Sequence, residues 1–175
     1  MGLTLRPWIW LKSSRPSLAE VIDEARNIAT IAHEGQLYGT GEPYIVHPTQ
    51  VARMAEKLGY GSEVRAACFL HDVLEDTSIT EVSLRDTFSA AIVDAVVAVT
   101  YLSSNYDEKI AQAMAHPIGR VVKFCDVSCN FSNAVLHGVK EGQRFDEVIL
   151  RRAGYIAKLK NDLPSPREIE HFLNR

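Results

Sequence analysis

Apolar residues recur at three- and four-residue intervals along nearly the whole chain, the period of helices that each bury one face. Leu18, Val21, Ile22, Ala25, Ile28, Ala29 and Ala32 form the first such row, and Ser17 and Glu20 stand ahead of it in capping-box spacing. His33 follows at its end. The segment "EGQLYGTGEP", with three glycines and Pro43, predicts a turn. A helix is then expected from Pro48 to Leu58, with His47 on its N-terminal edge and Gly59 stopping it. Ser62 is the expected cap of the next helix, whose apolar row Val64, Ala67, Cys68, Leu70, Val73 and Leu74 runs straight through "LHDVLEDT". Further helices are predicted near 81–87 and over 89–99, 107–115, 117–130 and 146–160. A short last one follows Ser165-Pro166-Arg167-Glu168, a capping box with proline in first place. Two-residue alternation of useful length is absent, so the expected fold class is all-α, a single helical bundle without internal repeats.

A chain of 175 residues with no Pro- or Ser-rich linker supports one substantial core. We expect a domain over residues 17–175 preceded by an N-terminal extension, residues 1–16. In that extension Trp8, Ile9, Trp10 and Leu11 form an apolar cluster able to dock on its own bundle or on a second subunit. It is too short for a signal-peptide core, and no other stretch approaches the roughly eighteen apolar residues of a membrane span. The expected location is cytoplasmic. A formal charge of −3 and a pI near 6.1 provide no global positive field for nucleic acid or an anionic membrane, so an anionic ligand needs a local site. Cys68, Cys125 and Cys129 make no even disulfide framework and read as core thiols in a reducing compartment. The i, i+4 spacing of Cys125 and Cys129 is a weak zinc signal without a second pair.

The chemistry concentrates at "LHDVLEDT". On one continuous helix His71 and Glu75 would lie four residues apart, as would Asp72 and Asp76, in two adjacent rows. Three carboxylates so close repel, and the macrodipole disfavours them at a helix C-terminus, so the arrangement asks for a cation. Asp76 alone reads equally well as a solvated turn residue. A His-Asp dipeptide supplies two ligands only; His47, behind the glycine-rich turn, and Asp126, inside the apolar run "IGRVVKFCDV", are the candidates to complete the set. Singly, either also fits a cap or core role. Two imidazoles and two carboxylates suit Mn(II), Fe(II) or similar metals, with zinc less favoured for lack of thiolates.

The order His47, His71-Asp72, Asp126 resembles the signature of the HD phosphohydrolase superfamily. The segments "AHEGQLYGTGEPYIVHP", "FLHDVLEDT", "VVAVT" and "VVKFCDVSCN" are similar, in order and spacing, to the hydrolase domain of RelA/SpoT-type alarmone enzymes over roughly residues 20 to 135. Without the synthetase and regulatory segments of the long enzymes, the chain resembles a stand-alone small alarmone hydrolase. That resemblance implies His47, His71, Asp72 and Asp126 as metal ligands, usually for Mn2+. It implies Glu75 and Asp76 as the pair that activates the attacking water, and Asn130 as a nucleoside contact. The implied reaction removes the 3′-diphosphate of (p)ppGpp as pyrophosphate. Lys123, three residues before Asp126, is the expected phosphate cation; Arg65, Arg120, Arg151 and Arg152 read as surface cations. His33 is expected to order the turn or support the ligands from behind.

The chain departs from that pattern at Tyr38-Gly39-Thr40-Gly41, where relatives carry Arg-Lys-Ser-Gly, at Tyr101 in place of lysine, and at Val127 in place of arginine. Tyr38 is placed to stack on a base or to pack locally. The implied partner is a small-molecule nucleotide. Adenosine alarmones, (pp)pApp, and the 2′-phosphate of NADPH are alternative substrates, and a nucleotide-binding sensor is the non-enzymatic alternative.

Overall fold

The computed structural model describes residues 17–39, 41–100, 105–140 and 142–175. The N-terminal extension with its tryptophan cluster, Thr40, Tyr101 and Leu102 lie outside the described residues. Helix α1, Leu18–Ala32, opens with the Ser17–Glu20 capping box. The expected turn contains a minimal antiparallel hairpin, β1 (Leu37–Tyr38) and β2 (Glu42–Pro43), with Leu37 opposite Pro43 and Tyr38 opposite Glu42. Gly39, at φ 56, makes the reversal in the left-handed region that a side chain rarely enters.

Helix α2, Val46–Lys57, begins before Pro48, so His47 belongs to its first turn. Helix α3, Ser62–Leu70, is capped by Gly61 instead of Ser62, which lies inside it and hydrogen-bonds Glu63. From Val64 to Leu70 nearly every side chain of α3 is buried, because α1, α2, α6 (Ala90–Val99) and α8 (Pro117–His137) pack around it. A helix apolar on all sides has its lowest free energy at the centre of a bundle.

The expected continuous helix through "LHDVLEDT" is broken. It stops at Leu70, turns through His71 and Asp72, and resumes as α4, Val73–Asp76. The His71 Nδ1–H donates to the Cys68 carbonyl at 2.8 Å, taking an acceptor that an uninterrupted helix would give to the Asp72 amide. Short α5, Glu81–Arg85, and α6 follow, then α7, Tyr106–Ala115. Helix α8 continues seven residues past the expected end at Asn130, to His137, and closes at Gly138 with φ 87. Helices α9 (Phe145–Asn161) and α10 (Pro166–Leu173) complete the bundle. Cys68 and Cys125 are fully buried free thiols, as expected of core cysteines. Among the described residues no helix is long and apolar enough to cross a membrane.

Candidate metal centre

Three elements aim the expected ligands at one point. His47 comes from the first turn of α2, His71 and Asp72 from the break between α3 and α4, and Asp126 from the middle of α8. His47, His71 and Asp126 are buried and offer ligand atoms within 4.8 Å of one another. His47 Nε2 lies 3.2 Å from Asp126 Oδ1 and 3.8 Å from Asp72 Oδ2; His71 Nε2 lies 2.9 Å from Asp72 Oδ2 and 3.8 Å from Asp126 Oδ1.

The residues fit a divalent cation on two grounds. With Nδ1–H committed to Cys68, His71 turns Nε2 toward both carboxylates, yet that buried nitrogen makes no hydrogen bond. A lone pair facing carboxylate oxygens is repelled, so a positive charge belongs between them, a proton or a metal. In the metal-free protein burial would lower His71, but Asp72 and Asp126 overcome this and hold its pKa up at about 10. Burial would raise Asp72 and Asp126, but the His71 charge draws Asp72 below the usual carboxylate range and the Lys123 charge does the same for Asp126. The second ground is charge. Lys109 pairs with Glu75 and Lys123 with Asp126, while among the described residues Asp72 and Asp76 have no lysine or arginine partner, so once His71 is neutral a cation is what the ligand carboxylates lack.

Around the ligands, Tyr44 was missed from sequence. Its hydroxyl donates to Asp72 Oδ2 at 2.7 Å and lies 3.5 Å from Asp76 Oδ2, while its ring stacks on His33 at 4.5 Å. His33 in turn bonds Gln36, whose side-chain amide reaches the Asp76 carbonyl. Burial, then Asp72, keeps the Tyr44 phenol protonated well above its ordinary range. Burial and the charges of Asp72 and Glu75 also raise Asp76. Glu75 is gripped by Lys109 of α7, at 2.5 and 2.7 Å; Lys109 too escaped the sequence reading.

The expected substrate residues sit at the mouth. Tyr38 stacks one face on His47, 4.6 Å between centroids, and its hydroxyl donates to Asn130 at 3.0 Å, so that face and the hydroxyl are engaged locally. Asn130 donates to Asp126 Oδ1 at 2.6 Å. Lys123 is buried and bonded to Asp126 Oδ2 at 2.6 Å, with the Tyr106 ring on its other side. Tyr38, Asn130 and Lys123 all line a cavity of about 480 Å³ that opens onto His47, Asp72 and Asp126. Four more cations, Lys109, Lys140, Arg151 and Arg152, line it as well, and Arg152 is braced on the Asn130 carbonyl at 2.6 Å. Arg152 therefore differs from the surface cation expected, because α9 folds back over the mouth, whereas Arg151 stays exposed at the rim. Arg65 pairs with Glu56, and Arg120 reaches the carbonyls of Met114 and Asp162, away from the cavity.

A helical bundle whose buried His, His-Asp and Asp converge beneath a cation-rimmed cavity defines a helical domain built around a candidate divalent-metal site. Residues 25–123, more than half of the chain, match the family model described as HD domain, and the chain belongs to that family. It is 45% identical over 75 residues to guanosine-3′,5′-bis(diphosphate) 3′-pyrophosphohydrolase of Haemophilus influenzae, covering 43% of this chain and 11% of that protein. It is 38% identical over 92 residues to the bifunctional (p)ppGpp synthase/hydrolase SpoT of Escherichia coli, covering 51% and 13%. The chain thus spans only a small part of the length of these curated relatives. The fold is shared with a solved metazoan orthologue of SpoT described as hydrolysing ppGpp, at TM-score 0.71 and 20% identity over 90% of this chain and 93% of the other. It is shared also with lmo0812 of Listeria monocytogenes, at TM-score 0.54 and 28% identity over 72% and 85%.

Proposed function

We propose that this chain is a metal-dependent phosphohydrolase that removes the 3′-diphosphate of (p)ppGpp as pyrophosphate, with Mn2+ as its metal, acting in the cytoplasm on a small-molecule nucleotide. The observation that carries the reading is the buried Nε2 of His71, fixed in tautomer and aimed without a hydrogen bond at two carboxylates. The names of the relatives, pyrophosphohydrolases of (p)ppGpp, support it. His47, His71, Asp72 and Asp126 would hold the ion. Bound there, a divalent metal supplies Lewis acidity and lowers the pKa of water from about 15.7 to about 7.

The remaining work falls to side chains. Asp76 holds the attacking water, and Glu75 steers or accepts its proton, a contribution of about 10²- to 10⁴-fold in rate. Water adds to the phosphorus of the 3′-diphosphate, the P–O3′ bond breaks, and the 3′ oxygen takes up a proton as pyrophosphate departs. Tyr38, Asn130 and Lys123 meet the nucleotide, while Lys140 and Arg151 supply the phosphate cations that the hairpin and Val127 lack.

The adenosine alarmones remain a second reading, favoured by the engagement of the Tyr38 hydroxyl with Asn130, which leaves a ring face to meet the base and such a face does not select guanine. Chromatographic product analysis of ppGpp, ppApp and NADPH with Mn2+, against an EDTA control, separates the readings. Metal-dependent pyrophosphate release from ppGpp is the expected result. Asp72→Ala should lose metal and turnover together, whereas Glu75→Ala should keep the metal and slow turnover. Release of phosphate from NADPH alone would reassign the substrate, and binding of ppGpp without turnover would make the chain a sensor.

A further inference from the structure

A second cavity, of about 420 Å³, lies between α2 and α8 on the side of Asn133 away from the metal ligands. From α2 it is lined by Gln50, Arg53, Met54 and Lys57, the i, i+3, i+4, i+7 positions of one helix face. From α8 it is lined by Ser128, Cys129, Ser132, Asn133, Leu136 and His137. We propose that this groove is a second binding site for a small phosphorylated anion, distinct from the metal centre.

Three observations meet there. Arg53 and Lys57 are exposed, stand one turn apart and form no ion pair or hydrogen bond among the described residues, although the chain as a whole is acidic. The nearby Glu56 is engaged elsewhere, with Arg65 at 2.8 Å, and among the described residues no carboxylate lines the groove. The Ser128 side chain is more than nine-tenths buried at the groove wall, and its hydroxyl has no hydrogen-bond partner. The amides of Gln50 and Asn133 add donors. A volume of this size suits a small ligand. An amphipathic partner helix would ask for an apolar stripe, whereas Met54 and Leu136 are the main apolar lining; they suit the non-phosphate part of an organic phosphate.

The groove borders the other cavity. Asn133 and His137 line both, and Asn133 Nδ2 would lie 3.3 Å from a Cβ placed on Gly39, in the turn that carries Tyr38. An anion held by Asn133 therefore abuts the hairpin over the metal centre.

The test is calorimetric titration of inorganic pyrophosphate into the full chain in EDTA. Without metal turnover does not intervene, and substitutions on each rim separate binding in this groove from binding of pyrophosphate in the cavity over the metal centre. The wild type is expected to bind pyrophosphate, and Arg53→Ala/Lys57→Ala, which removes two solvent-exposed cations, to weaken that binding by about tenfold. Lys140→Ala/Arg151→Ala, on the other rim, should leave it within about twofold. A parallel titration with a nucleoside 5′-diphosphate reads whether Met54 and Leu136 contribute; tighter binding than pyrophosphate supports an organic phosphate, and equal binding supports the inorganic anion. Wild-type silence up to about 10 mM, a free energy of binding weaker than about 3 kcal/mol, overturns the proposal. So does binding that the Arg53/Lys57 variant retains in full.

Discussion

Replacing Tyr44 with phenylalanine removes one oxygen and leaves the ring stacked on His33. That oxygen donates to Asp72 at 2.7 Å and touches Asp76 at 3.5 Å, so the substitution withdraws the main hydrogen bond that orients a ligating carboxylate. A hydrogen bond to a charged group contributes about 1.5–3 kcal/mol. Loss of such a supporting partner weakens metal binding by about 10- to 100-fold, or about 1.4–2.8 kcal/mol. The two routes give the same magnitude. Because Asp72 is partly open to solvent, water can take the place of the hydroxyl in the metal-free state, and the loss of fold stability there should stay near 1 kcal/mol. Calorimetric titration of Mn2+ into EDTA-stripped wild type and Tyr44→Phe, beside thermal unfolding in EDTA, measures both quantities. Metal affinity changed by less than about threefold, with an unfolding loss of 1.5 kcal/mol or more, would show that the hydroxyl serves the fold and not the ion.

Three further outcomes are expected. Lys123→Met removes one partner of buried Asp126, leaving Asn130 and His71, and should destabilise the metal-free protein by about 1–3 kcal/mol, with a smaller loss in saturating Mn2+; equal urea-unfolding losses in both conditions would refute a charge held in common by lysine and metal. Tyr60 donates to the Pro164 carbonyl at 2.6 Å, and burial raises its phenol to about 12. The folded state favours the protonated form, so its stabilisation is complete below the unfolded pKa of about 10 and fades as pH rises through 12, a dependence that Tyr60→Phe should flatten in alkaline unfolding curves. Gly39→Ala forces a side chain into a left-handed turn against Asn133, and denaturant melts should show a loss of about 1–2 kcal/mol.

The convergence of His47, His71, Asp72 and Asp126 was legible in one dimension because each is a costly residue type at its place: carboxylates at a helix end, an aspartate in an apolar run. The helix break was not legible, since the apolar period from Val64 to Leu74 continues through it without a glycine or proline; the cause is a side-chain bond from His71 to Cys68. Tyr44 and Lys109 carry no local signal, because their partners Asp72 and Glu75 lie 28 and 34 residues away in sequence. The i, i+3 spacing of Lys123 to Asp126 indicates the ion pair that holds the lysine. Arg152 looks like any exposed helical cation until α9 is folded over the mouth and the guanidinium meets the Asn130 carbonyl.

The ligands come from α2, the α3–α4 junction and α8, segments that meet only in the folded chain. A cation gripping all of them would act as a reversible cross-link, stapling three helices that are distant along the polypeptide. At a free metal concentration a thousandfold above Kd such a staple adds about 4 kcal/mol to stability, comparable to a disulfide closing a long loop. Metal supply would then govern resistance to unfolding and proteolysis together with reactivity, and a chelator would loosen the scaffold in the same stroke that silences the site.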